Sequence, residues 1–326
     1  MRYAVIDISA SSLSLLVADI NGELTVQFTD RETLSVLHYA EGRKLSERGI
    51  RKIAEGLKRL KGVAAKYGAE KCYVISTASV RNFENYEEVE RALKEYAGVE
   101  LNLLSGEEEA FCDLTANSGA PEKSLLVDIG GGSVEVCDPA GTGSSAFLDY
   151  GVIGLRRKFV RHTHPSVEEA RRIKKYVKKS LEKLSFGTPG EYESALLLGP
   201  VDHAVSEMYA DRFGLKGEEP VLEYDKLKKL RNFLVTSSKR SLLIVKIAPE
   251  RMDTLVTSVV ALCAVLKYYG IERAVRSPYG VKEGYLLLVA KGGREDKETP
   301  LGNVKPARSS EDVDERTEQD RDNEKP

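Results

Sequence analysis

Ser124-Leu-Leu-Val-Asp-Ile-Gly-Gly-Gly-Ser-Val-Glu-Val136 carries the pattern that decides the fold. Leu125 to Ile129 is a short apolar run broken only by Asp128, as in a buried strand. Three glycines end it. Residues without a Cβ let the backbone turn tightly and present successive N–H groups, a geometry that cradles phosphate oxygens. Asp128 at the strand's end and Glu135 after the glycines place two carboxylates beside that turn. Such a pair requires a cation or a proton. Taken alone, the stretch also fits a glycine-rich hairpin turn with two solvated acids.

Working outward, the strand–turn–strand pattern has a counterpart at the start of the chain. Val5 to Ile8 and Leu13 to Val17 flank a small-residue turn, and Asp7 occupies the position that Asp128 holds in the later copy. A third strand is expected over 23–29, a long amphipathic helix over 46–67 and a strand over 71–76. A helix over 86–96 and a strand over 100–104 follow. Ser105 and Glu108 form a capping box that opens a helix containing Glu107, Glu108 and Glu109. After the second copy comes a strand over 147–149, then a loop from Gly151 into 155–160. Beyond these lie a strongly basic helix over 166–184, a strand over 195–198, helices over 224–234 and 261–269, a strand over 274–277 and a last helix to Lys291. The chain thus reads as two copies of one βββαβα plan joined near 117–123. The expected units are 1–118, 119–291 and, from Gly292, a polar charge-mixed tail (292–326) expected to be disordered.

Composition narrows the function classes. The 326 residues carry 49 Lys and Arg against 51 Asp and Glu, a net charge of −2 that predicts no polyanion-binding surface over the whole molecule. A local basic groove remains compatible with that balance. No nucleic acid or membrane is expected as a partner. Four scattered cysteines have no metal-ligand spacing and read as buried thiols of a reducing cytoplasm. No leader is read from the first residues, and no apolar run approaches the ~18–20 residues of a membrane span.

Four stretches, in order, then resemble one family: Asp7 to Ser12, Ser76 to Arg81, Leu104-Ser-Gly-Glu-Glu-Glu-Ala110 and Val127 to Glu135, with Ser277-Pro-Tyr-Gly-Val-Lys-Glu-Gly284 near the end. Together they are similar to the exopolyphosphatase and guanosine pentaphosphate phosphatase family, in a short form without the extra helical domain of longer members. The resemblance implies an α/β fold of two ribonuclease-H-like, actin-like ATPase domains with mixed sheets facing each other across a cleft. It also implies water attack on a terminal phosphoryl group with Mg²⁺, on inorganic polyphosphate or guanosine pentaphosphate, and it is compatible with a homodimer.

By position, Glu109 matches the family's catalytic glutamate and Glu135 the acid after the glycine loop. A glutamate on a cleft wall can orient and deprotonate water. Asp7, Asp128 and Glu135 suit Mg²⁺, and Arg81 suits bidentate pairing with phosphate oxygens. Ser9, Ser11, Ser12, Gly130, Gly131, Gly132 and Ser133 would grip the phosphoryl group. Two loops depart from the family pattern. The glycine of the first is absent from Asp7-Ile-Ser9-Ala10-Ser11-Ser12, which removes easy access to positive φ. A later glycine-rich loop is here Gly199-Pro200-Val201-Asp202, with one fewer N–H donor and an added acid. An active hydrolase is therefore weighed against a catalytically impaired sensor of a phosphorylated ligand. A small-molecule kinase fits less well, because no sugar-binding segment is recognisable.

Overall fold

Alternation along the first strand explains the first layer. In β1 (Arg2–Ile8), Ala4, Ile6 and Ile8 enter one apolar cluster while Tyr3 and Val5 enter another, so both faces of the strand are buried. The computed structural model describes residues 1–34, 36–139, 144–215 and 219–301, and the side chains of Leu37, Pro200 and Asp202 are outside that description. β2 (Ser12–Asn21) and β3 (Glu23–Thr33) follow as an antiparallel meander, the third strand running four residues beyond its expected end. A two-residue ribbon, β4 (Ala40–Glu41) with β5 (Lys44–Leu45), leads into α1 (Glu47–Lys66). Ile50, Ile53, Leu57 and Leu60 line one side of α1 at helical spacing and are buried against the Ala4–Ile6–Ile8 face.

β6 (Lys71–Ser76) lies parallel to β1, and α2 (Ala78–Arg81) and α3 (Tyr86–Ala97) carry the chain to β7 (Leu101–Leu103). The sheet order is β3-β2-β1-β6-β7. α4 (Gly106–Ala116) opens on the anticipated capping box: the Ser105 N–H donates to Glu108 Oε2 at 2.7 Å, and the Glu108 N–H to Ser105 Oγ at 3.1 Å.

The second sheet repeats the plan. β8 (Ser124–Ile129), β9 (Val134–Cys137) and β10 (Ser145–Leu148) form its meander. α5 (Val152–Phe159) and α6 (Val167–Leu184) lead to β11 (Ser194–Leu198), parallel to β8. α7 (Gly199–Phe213), β12 (Leu222–Glu223), α8 (Tyr224–Thr236), α9 (Arg240–Ile247) and α10 (Leu255–Tyr269) precede β13 (Arg273–Arg276). The order is β10-β9-β8-β11-β13-β12. The two mixed α/β sheets face each other across a cleft, as the resemblance implied. Among the described residues no helix is long and apolar enough to cross a membrane, and all four cysteines are free and buried.

Several expectations change. The segment after Gly151 is helical rather than a loop, and α7 and α9 had no counterpart in the sequence reading. α10 starts six residues earlier than expected, and every residue from Leu255 to Leu266 is buried, so no polar stripe marked its ends. The last helix, α11 (Val281–Ala290), leaves the second sheet and packs on the first. There Tyr285 and Leu286 join Tyr3, Val5, Leu16 and Tyr73, so the unit expected to end at 291 gives up its final helix. A Cβ on Gly284 would fall 1.8 Å from the Cys112 carbonyl oxygen, which is how closely α11 and α4 approach.

The expected disordered tail is corrected over 292–301. Thr299 is buried, its N–H donates to the Cys72 carbonyl at 2.7 Å, and Asn102 exchanges hydrogen bonds with the Lys297 backbone. Composition missed this because the segment is held by polar contacts rather than by apolar burial. The remainder of the expected tail, 302–326, lies outside the described residues.

Candidate active site

The register of the two hairpins builds the floor of the site. Asp7 and Asp128 each sit one residue before the end of a central strand. Asp128 is paired directly with Glu135 across β8 and β9. Opposed residues of an antiparallel pair share a face with Cβ atoms about 4.5–5.5 Å apart, so these two carboxylates are neighbours by construction. Glu109 enters from the side, on the first turn of α4. A cleft cavity of about 530 Å³ is lined by Asp7, Ser9, Ser11, Ser12, Glu109, Asp128, Gly130, Gly131, Gly132, Ser133 and Glu135. Every sequence-predicted site residue except Arg81 therefore meets in one space.

Close approach, rather than unusual φ, explains the glycines. None of Gly130, Gly131 and Gly132 takes a positive φ. The carbonyls of Gly130 and Gly131 accept from the N–H groups of Val152 and Ile153 at 3.0 and 3.1 Å, which docks the loop onto the start of α5. A Cβ on Gly151 would fall 2.3 Å from the Gly130 oxygen, and one on Gly131 would press on Ala10 at 3.2 Å. No turn or loop hydrogen bond engages the N–H groups of Gly131 and Gly132 among the described residues. The first loop is different: Ser9 Oγ donates to the Ser12 carbonyl and accepts from the Ser12 N–H at 3.2 Å, closing the turn on itself. Ser9, Ala10 and Ser11 need no positive φ either, so the missing glycine costs this loop no backbone strain.

The electrostatics of the floor are those of crowded acids. Burial pushes Asp7 up to about 6, with Lys282 and Arg31 pulling the other way. Asp128 rises to about 7 through burial and its neighbour Asp7. Glu109 rises to about 8 through burial, opposed by Arg81. Glu135 is driven well above the carboxylate range by burial and by Asp128 and Glu109, although the Ser133 hydroxyl hydrogen-bonds it. Perturbed acids gathered in a cleft are a physical marker of a functional site.

Arg81 sits elsewhere than expected. Its guanidinium donates to Glu109 Oε1 at 3.0 Å and to the Leu104 carbonyl, and it is not among the residues lining the cavity. In this arrangement it is placed to set the charge of Glu109. The Gly199 segment forms the start of α7, where a Cβ would come within 2.7 Å of Asp128 Oδ1. The side chains of Pro200 and Asp202 lie outside the described ones.

Sequence reasoning gave no role to two residues that line the cavity, Lys282 and Arg31, or to one buried acid on α4. Lys282, given no role of its own within the Ser277–Gly284 stretch, reaches into the cleft: its Nζ donates to Ser14 Oγ at 3.2 Å and it pulls down both Asp7 and Asp128. Its neighbour Glu283 does the ordinary work, accepting from the Gly280 N–H at 2.9 Å. Arg31, at the end of β3, lines the cavity. Asp113 lies one turn beyond Glu109 on the same side of α4, and the i, i+4 spacing was a readable signal. It is 1% exposed, both carboxylate oxygens lack a hydrogen-bond partner among the described residues, and burial with Asp128 and Glu135 nearby drives its pKa well above the usual range.

Among the described residues no three His, Cys, Asp or Glu side chains converge as a metal-binding group. Mg²⁺, however, keeps several waters and is held by one or two carboxylates together with substrate oxygens. Asp7, whose buried Oδ1 has no partner, and Asp128 beside it fit such a site.

Comparison with known proteins agrees with this architecture. The model of the Ppx/GppA phosphatase family matches residues 16–291. Exopolyphosphatase 1 of Mycobacterium tuberculosis is 23% identical over 308 residues, covering 88% of each chain. Among solved structures, an exopolyphosphatase from Cytophaga hutchinsonii is 19% identical, with a TM-score of 0.77 over 93% of this chain and all of that one. The Aquifex aeolicus Ppx/GppA family member is 23% identical, with a TM-score of 0.73 over 91% and 99% of the two chains. At these identities the likeness to solved structures speaks for the fold.

Proposed function

Because the chain belongs to the Ppx/GppA phosphatase family, we propose that it hydrolyses terminal phosphoanhydride bonds, releasing orthophosphate from inorganic polyphosphate or from guanosine pentaphosphate. The observation that carries this reading is the meeting of Glu109, the glycine loop and the Asp7–Asp128 pair in one cavity. The free N–H groups of Gly131 and Gly132 receive the terminal phosphoryl oxygens, with Lys282 opposing their charge. Glu109 orients a water and accepts its proton as the water oxygen bonds to phosphorus. The bridging P–O bond breaks, and the shortened chain leaves with the electron pair. The transition state is loose and charge-rich, so positioning and charge compensation supply most of the acceleration. Mg²⁺ held by Asp7 and Asp128 would neutralise developing charge on the phosphoryl oxygens.

Orthophosphate release from polyphosphate by wild type and Glu109→Gln tests the assignment. Loss of a general base costs about 10²–10⁴-fold, and ligand should still bind. A wild type that binds polyphosphate without turnover would replace the hydrolase by a phosphate-ligand sensor. One observation favours that second reading: with a pKa near 8 and a partner in Arg81, Glu109 is largely protonated at neutral pH in the ligand-free protein.

A further inference from the structure

One stretch of the chain, α5 and α6, is rich in cations. Residues 151–184 hold eleven Lys and Arg against three Glu, within a protein whose net charge is −2. The α5 end of that stretch reaches the cleft. A side cavity of about 240 Å³ shares Ala78, Ser79, Gly131 and Gly132 with the catalytic cavity, so the glycine loop is the wall between them. Arg157 of α5 and Arg43 line it, with Asp149 on its rim and Arg43 paired to Glu84 at 3.0 Å. One residue on, Lys158 places its Nζ 3.9 Å from the centre of the Tyr176 ring, joining the end of α5 to α6. Arg172, Lys179 and Lys183 flank Tyr176 at i−4, i+3 and i+7, which is one stripe of the helix. All three are exposed, and none has an acid within 4.0 Å among the described residues.

We propose that the side cavity, the end of α5 and the Arg172–Lys179–Lys183 stripe of α6 form a track for the distal phosphates of a long polyphosphate whose terminal phosphate occupies the cleft. The inference rests on the hydrolase reading for its ligand class and adds a preference for chain length. A linear polyanion is attracted by a row of cations through charge alone, and the attraction weakens steeply with salt. Arg172 to Lys183 spans about 16 Å of helix axis, so the stripe engages several consecutive phosphates rather than one.

The test compares wild type with the triple variant Arg172→Gln, Lys179→Gln, Lys183→Gln, altered only at exposed positions. Long-chain polyphosphate and tripolyphosphate are both assayed across a salt series. The expected result is a long-chain to tripolyphosphate kcat/KM ratio that falls at least tenfold. The slope of log affinity for the long chain against log salt should drop by about 2–3, near 0.7–0.9 per cation removed. An unchanged ratio and slope overturns the track, as does an equal loss on both substrates. Single-stranded RNA of matched charge is the competitor: equal retention by wild type, lost in the variant, makes this a nucleic-acid face and also overturns it. If neither phosphate chain is hydrolysed, the hydrolase reading fails, and retention of long-chain polyphosphate still decides the track.

Discussion

Replacing Arg81 with glutamine separates two accounts of that residue. As a phosphate clamp, Arg81 would weaken binding and rate alike at every pH. The structure instead pairs it with Glu109 at 3.0 Å, with the Glu109 side chain 7% exposed and that of Arg81 29% exposed. A hydrogen bond to a charged group contributes about 1.5–3 kcal/mol, and 1.36 kcal/mol corresponds to one pKa unit. The cation favours the ionised acid, so its removal raises the Glu109 pKa by about 1–2 units, the partial exposure of Arg81 favouring the lower end. From a value near 8, the inflection of orthophosphate release against pH should move to about 9–10. The rate at pH 7 falls about 10–100-fold while the alkaline limb recovers. Arg81→Lys keeps the charge and should lie between. A loss that is uniform across pH, or an inflection that stays put or moves down, refutes the pairing argument.

Asp113→Leu removes a buried carboxyl without partners and should stabilise the protein by about 1–3 kcal/mol in urea titration at pH 8. Because the folded-state pKa of Asp113 is raised, that gain should shrink as pH falls toward the unfolded value, and a gain independent of pH would contradict it. Asp7, Asp128 and Glu109 are raised in the same sense, to about 6, 7 and 8. Metal-free protein should therefore lose stability as pH rises from about 4 to about 8. Added Mg²⁺ should raise Tm more at pH 8 than at pH 5, where protons compete for Asp7 and Asp128; equal shifts at both pH values, or shifts that survive Asp7→Asn with Asp128→Asn, would exclude the site. Gly284→Ala should lower Tm sharply, since its Cβ would lie 1.8 Å from the Cys112 oxygen, and near-wild-type stability would show that α11 can move off α4.

The sequence made the hairpins legible because each combines an apolar run, an aspartate and a turn of small residues, features local to about a dozen residues. The capping box at Ser105 and Glu108 was equally local. What escaped was decided by distant contacts. α10 buries every side it has between Leu255 and Leu266, so no amphipathic stripe marked its length. α11 follows the second sheet in sequence but packs on the first, a choice made by Tyr285 and Leu286 against Tyr3, Val5 and Tyr73. The segment 292–301 has the composition of a tail, yet Thr299 and Lys297 hydrogen-bond to β6 and to Asn102. In the site, the four acids named from the sequence, Asp7, Glu109, Asp128 and Glu135, line one cavity. The direction of the Arg81 side chain depended on where α2 leaves it relative to α4, which spacing along the chain does not encode.

The altered first loop acquires a definite physical meaning from its hydrogen bonds. Ser9 and Ser12 are engaged with each other, and Ser12 is 1% exposed, so their hydroxyls are committed to the turn. Only Ser11 among the three lines the cavity with no side-chain hydrogen bond among the described residues. The backbone geometry that a glycine would serve is reached without one, so the departure changes what the loop offers a ligand rather than whether it folds. Under the proposed function, phosphate recognition would rest more on the opposite wall, where no turn or loop hydrogen bond engages the N–H groups of Gly131 and Gly132 among the described residues, and on Lys282, which α11 carries across from the second sheet. Since α11 is packed closely on α4, and α4 carries Glu109, the cation proposed to meet the phosphate and the acid proposed to meet the water sit on one packed helix pair. A shift in that pair would move both groups together, so Gly284→Ala, which forces α11 off α4, should disturb Lys282 and Glu109 at once.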